Sequence, residues 1–93
     1  MATSSIPKSI QDIIRRETES ASTEFVAGSA KSVDIPIPSV SGYKFLTVFN
    51  ARPMNNFGAT WITINGPSSC RVWFLPENSN TNTIKVDILY IKG

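Results

Sequence analysis

The side chains that could do chemistry in this chain are few, and the first fact about them is an absence: there is no histidine. That removes the usual general base, the commonest metal ligand and every Ser/His or Cys/His pairing together. Seven carboxylates remain. Asp12, Glu17 and Glu19 fall in a stretch with helical spacing, Glu24, Asp34 and Asp87 in strand-like runs beside apolar neighbours, and Glu77 in a loop. Glycoside hydrolysis needs two carboxylates facing one bond, and no spacing here suggests such a pair. Phosphate loops, dinucleotide fingerprints, calcium-loop spacing and internal repeats are all missing. Cys70 is the only cysteine, so the chain has no intrachain disulfide and no cysteine-based metal site; a small buried apolar residue in a strand is the expected role. The expectation is a protein that is not an enzyme and carries no cofactor or metal.

Binding chemistry is better represented. Trp61 and Trp73, with Arg52, Arg71, Asn55 and Asn56, could build an aromatic platform flanked by amides and guanidinium groups. Such a platform suits a sugar, because a ring face stacks on C–H surface while polar groups fix hydroxyls. The competing reading is structural. Trp61 alternates with Thr63 and Asn65, and Trp73 shares parity with Arg71 and Leu75, so both tryptophans lie on the less apolar faces of their strands. They are core or subunit-contact residues in one reading and glycan contacts in the other.

The elements that must position these residues are mostly strands. TIKVDILYIK, residues 83–92, alternates Ile84, Val86, Ile88 and Tyr90 with Lys85, Asp87, Leu89 and Ile91. One face is wholly apolar; the other starts charged and turns apolar, as if covered near its end by a second layer or a neighbour. Short apolar or alternating runs separated by Gly, Pro, Asn and Ser predict further strands over 24–27, 32–37, 43–50, 60–65 and 70–75. In the second of these, Pro36 and Pro38 share one parity and lack amide hydrogens, which makes the strand an edge paired through Val33, Ile35 and Ile37. Residues 43–50 are apolar on both faces and read as a central strand or one buried by oligomerisation. Turn chemistry accounts for most of the Asn-rich loops 51–59 and 77–82.

Before the strands, Ile6, Ile10, Ile13 and Ile14 recur at helical spacing, Pro7 suits a first turn and Ser5 could cap, predicting an amphipathic helix over 7–19. About three turns of β-branched helix are marginal alone. The isoleucine stripe is therefore either packed on its own domain or docked as an anchor in another protein or a short bundle; isoleucine on a seam leans toward trimers. The organisation expected is an N-terminal arm or helix, 1–22, before a β domain, 23–93. The fold class is all-β, a small antiparallel β-sandwich of jelly-roll or Ig-like type preceded by a short N-terminal helix or arm.

The bulk numbers set limits. A domain of 93 residues buries only about 60% of its unfolded surface, so help from an assembly is expected. A net charge of +2, without clustered Lys and Arg, gives no reason to expect nucleic acid. No run approaches the roughly 18 apolar residues of a membrane span, and the N-terminus lacks a signal peptide's apolar stretch. The chain is expected to be soluble.

AGSAKSVDIPIPSVSGYKFLTVF, followed by short strands with Asn-rich turns and the closing DILYIK, resembles the C-terminal module of virion proteins of tailed bacteriophages, including fibre and baseplate proteins. In that module a turn of small residues leads into an edge strand, Gly-Tyr opens the next, and a Leu-Tyr-Ile-Lys type strand closes the chain. The resemblance spans residues 24–93. It implies a homotrimeric β-sandwich on a virion, made in the host cytoplasm, with other virion proteins as partners and no catalysis. Fibre proteins carry a long shaft before the module, whereas here one short helix is expected; that favours a small capsid or tail accessory protein anchored by its arm. Ile6, Ile10, Ile13, Ile14, Leu89 and Ile91 are the expected anchoring or oligomer contacts, and a cell-surface glycan bound through the tryptophans is the alternative partner.

Overall fold

The computed structural model describes residues 13–93. They form six strands: β1 (Ile14–Phe25), β2 (Lys31–Pro36), β3 (Tyr43–Pro53), β4 (Gly58–Asn65), β5 (Ser69–Pro76) and β6 (Asn80–Lys92). Two antiparallel three-stranded sheets result, sheet A in the order β1-β6-β3 and sheet B in the order β2-β5-β4. Their apolar faces share one core. Sheet A contributes Phe25, Val48, Ile84, Val86, Ile88 and Tyr90, and sheet B contributes Val33, Ile35, Cys70, Val72 and Phe74. Phe25 meets Phe74 edge to face across the two sheets, with ring centroids 5.1 Å apart. The alternation in β6 and β5 therefore does what a period of two requires: every second side chain is buried in the shared core.

The predicted helix is not seen. Its first residues, 7–12, lie outside the described part, and Ile14 to Glu19, also assigned to it, belong to β1. β1 runs antiparallel to β6 from Ile14 opposite Ile91 to Phe25 opposite Asn80. The strand pattern was present beneath the helical one: Glu17, Glu19, Ala21, Thr23 and Phe25 face one way, Arg16, Thr18, Ser20 and Ser22 the other. Thr and Ser are indifferent helix formers, and β6 offers twelve paired positions to a chain that would otherwise make a marginal helix. Tertiary pairing overrides the local spacing. The helical isoleucine seam that suggested a trimer loses its basis for Ile13 and Ile14.

The edge position of β2 holds: it pairs only with β5, and the Ile37 N–H beyond it donates to Ser68 O (3.0 Å), so the proline parity faces away. β3 is corrected. It is an edge of sheet A, not a central strand. Its apparent two-sided apolarity comes from register shifts between Phe45 and Thr47 and between Phe49 and Arg52. The first shift lets Tyr43 and Phe45, and then Val48, all reach the core, while Leu46 is left 51% exposed. Asn50, at the second, has φ 57°, a left-handed conformation that Asn tolerates.

Candidate functional site

On the outer face of sheet B the register brings the two tryptophans together. Alternation in β5 sends Cys70, Val72, Phe74 and Pro76 inward and Arg71, Trp73 and Leu75 outward. β4 places Trp61 directly opposite Trp73. Their rings are parallel within 7°, with centroids 6.3 Å apart, and the Trp73 Nε1–H donates to Thr63 Oγ1 (2.9 Å). Trp61 is 43% exposed. A register shift between Ile62 and Ile64 sets Ile64 opposite Arg71 and leaves it exposed. Arg71 in turn grips Asp34 of β2 through two hydrogen bonds, Nε to Oδ1 at 2.9 Å and Nη2 to Oδ2 at 3.4 Å. The Arg71 hydrogen bond lowers the Asp34 carboxyl and Asp34 raises the Arg71 guanidinium, each from its ordinary value. The face is a flat strip of stacked indole, aliphatic side chains and one ion pair. Such a face can stack and exclude water.

The remaining glycan candidates go elsewhere. Arg52 is opposite Lys85 on the outer face of sheet A, on the far side of the molecule from Trp61. Asn55 and Asn56 lie in the β3–β4 turn, where Asn56 is only 6% exposed. Its amide donates to Asn78 O (2.7 Å) and Asn80 Oδ1 (2.9 Å), and its Oδ1 accepts from Phe57 N–H and Asn78 N–H. The Asn55 N–H donates to Asn82 Oδ1 (2.7 Å), and Asn80 Nδ2 donates to Asn55 O (2.8 Å). These asparagines clasp the β3–β4 and β5–β6 turns to each other. Of the six expected contacts, Trp61, Trp73 and Arg71 share a face; Arg52, Asn55 and Asn56 do not join them.

Ile14, Leu89 and Ile91, three of the anchoring candidates, gather at one end of the outer face of sheet A. Ile14 is opposite Ile91, which is 37% exposed, and half-buried Leu89 lies next to it; Ile13 is exposed. Ile6 and Ile10 lie outside the described residues. The end of β6 is thus not covered on both faces by anything described.

The best-built polar cluster centres on Asp87, in the outer face of sheet A. Asp87 points away from the core, yet it is fully buried. Arg16 Nη2 donates to its Oδ2 (2.5 Å), Asn50 Nδ2 to the same oxygen (2.8 Å), and Thr18 Oγ1 to Oδ1 (2.9 Å); Arg52 Nη1 stands 3.3 Å away. The Arg16 guanidinium also lies over Phe49, 5.2 Å from the ring centroid. Burial pushes the Asp87 carboxyl up, but the hydrogen bonds from Asn50, Arg16 and Thr18 and the charge of Arg52 outweigh it and hold the group well below the usual carboxylate range. A signal existed: a lone Asp between Val86 and Ile88 in a two-sided strand must find cations, and arginines precede it in β1 and β3. With donors from β1 and β3 on its two oxygens, Asp87 bonds the three strands of sheet A together.

Cys70 sits in the core of sheet B, as expected, and burial pushes its thiol up. Comparison of the chain with family models, with curated proteins and with solved structures finds no match in any of the three.

Proposed function

We propose that this chain is a non-enzymatic structural protein of a bacteriophage virion, a small accessory or decoration-type protein that works docked against its neighbours. The two sheets are read as a small β-sandwich, with the residues before Ile14 as an anchoring arm. One observation carries the docking part of this reading: large apolar side chains stand exposed on the outside of both sheets, Leu46 and Ile91 on sheet A, Trp61, Ile64 and Leu75 on sheet B. Monomeric proteins seldom leave extended apolar surface on two faces. The virion part comes from the resemblance of residues 27–49 and of DILYIK to phage modules. The test is to purify particles of the phage that encodes the chain, detect the protein by mass spectrometry and cross-link it in place. Stoichiometric presence, with cross-links from residues before Ile14 or from the sheet faces to another virion protein, is the expected result; absence from the particle defeats the reading.

The stacked tryptophans favour a second reading, a receptor- or glycan-binding adhesion module. Trp61 is 43% exposed, stacks on Trp73 and shares its sheet face with Arg71, a combination on which a sugar would stack. Trp61→Ala should then abolish cell or glycan binding while the fold is retained. If the variant is incorporated into particles and binds host cells as the parent does, the platform is not an adhesive site.

A further inference from the structure

We infer that β1 pairs edge to edge with β1 of a second copy of this chain, antiparallel, about a two-fold axis through Ser20. β1 stands at the end of sheet A, and its far side has no strand partner among the described residues. The Lys92 N–H donates to Ile13 O, so odd-numbered residues of this segment direct their backbone groups to β6. Groups alternate along a strand. Arg16, Thr18, Ser20, Ser22 and Glu24 therefore offer their N–H and C=O groups to the open side. A row of that kind is a template for another strand.

The other three sheet edges are interrupted. β2 contains Pro36 and is followed by Pro38, β3 has two register shifts, and β4 has one between Ile62 and Ile64. β1 is twelve residues long, with no proline, no glycine and no shift against β6. The longest edge is the one with an uninterrupted backbone.

Side chains choose the partner and the register. In a two-fold antiparallel pair, residues facing each other lie on the same sheet face, so the axis passes through a residue. Centred on Ser20, Arg16 of each copy meets Glu24 of the other, Thr18 meets Ser22, and Glu17 and Glu19 meet Thr23 and Ala21. No like charges oppose. Centring on Glu19 sets that carboxylate against its own copy, and centring on Thr18 sets Glu17 against Glu19. Just beyond the paired stretch, Ile14 comes opposite Val26, which is 62% exposed. The chosen register forms roughly ten inter-chain backbone hydrogen bonds, two for each facing pair from Arg16 to Glu24. Lys31 Nζ already donates to Glu24 O (3.0 Å) and to Thr23 Oγ1 (3.2 Å). A carbonyl has two lone pairs, so this contact and the new one coexist. Arg16 likewise has donors to spare beside those on Asp87, since its side chain remains 59% exposed. Backbone geometry and charge carry this pairing independently of the virion reading, and the failure of either leaves the other standing.

The test is mass in solution together with register. By light scattering after gel filtration, the full chain should run at twice its mass in the micromolar range. Ser20→Pro removes an N–H that points away from β6, so it should give a monomer whose near-ultraviolet circular dichroism, dominated by the stacked tryptophans, matches the parent. Register is read separately by cysteine substitution, because facing residues in such a pair have Cα atoms about 5.5 Å apart, within disulfide range. Ser20→Cys should cross-link as a homodimer under a mild oxidant, and Ser22→Cys, whose two copies are about four residues out of step, should not. A monomeric parent, a dimer that persists in folded Ser20→Pro, or equal cross-linking at positions 20 and 22 overturns the pairing.

Discussion

Replacing Asp87 by Asn tests the central electrostatic statement about sheet A. The carboxylate receives hydrogen bonds from Asn50, Arg16 and Thr18 and has Arg52 close by. An amide of the same shape keeps one acceptor, turns a donor toward Thr18 and loses the charge. Hydrogen bonds to a charged group contribute about 1.5–3 kcal/mol each, and removing one partner of a buried pair costs about 3–5 kcal/mol. Because both arginines keep access to water and the amide saves part of the network, Asp87→Asn should lose about 2–4 kcal/mol at pH 7. The pH dependence has a definite sign. The folded carboxyl is held below its unfolded value of about 3.9, so on acidification the unfolded chain takes up this proton first. The stabilisation is complete above that value and is lost as pH falls from it through the folded pKa. The asparagine variant does not titrate at this position, and the gap between the two proteins should narrow by up to about 1.4 kcal/mol per pH unit below pH ~4. Urea unfolding of both proteins from pH 7 to pH 2 measures the gap directly. A gap that is constant with pH, or one already absent at pH 7, would refute the assignment of Asp87 as a paired, ionised strand clamp.

Three further outcomes follow from the geometry. Gly58 has φ 145°, and a Cβ there would lie 1.9 Å from Leu75 O; Gly58→Ala should cost about 3 kcal/mol or more, measured by denaturant midpoint, because conformation and space both oppose it. Asn56→Ala removes the acceptor for Phe57 N–H and Asn78 N–H, so it should destabilise by about 2–3 kcal/mol and speed amide exchange at those two positions above all; unchanged exchange would mean that the clasp does not hold the turns. Cys70, buried with its thiol pushed up, should resist Ellman's reagent in the folded protein and react once unfolded in urea.

What could be read in advance follows what is local. The period of two in 83–92 and the shared parity of Pro36 and Pro38 are properties of single strands, and both survive contact with the structure. The helical spacing of four isoleucines hides β1, because its strand partner β6 lies far along the chain and leaves no local mark. The two-sided look of β3 hid two register shifts, which depend on its pairing with β6 and not on its own composition. The site shows the same division. Trp61 and Trp73 were marked by type and parity, but their stacking needs the β4–β5 register. Asn55 and Asn56 were marked as available amides, and only the approach of the β5–β6 turn shows that they are spent. Asp87 was passed over because its cations come from strands on either side of it.

The strand order of sheet A also governs how the nascent chain must fold. β6 is the middle strand of that sheet and follows β1 and β3 in sequence, so neither of them has its sheet partner until residues 80–92 have been made. Sheet B is different: β2, β4 and β5 are all present once Pro76 has emerged, and that half can zip up early. Until β6 emerges, β1 is a bare, pairing-competent strand, with only its charged and hydroxyl side chains to keep it from the wrong neighbour. Contacts that join distant parts of the chain also slow folding, toward the millisecond-to-second range of β-proteins. Fast translation or high expression should therefore favour strand exchange between unfinished chains over completion of sheet A within one.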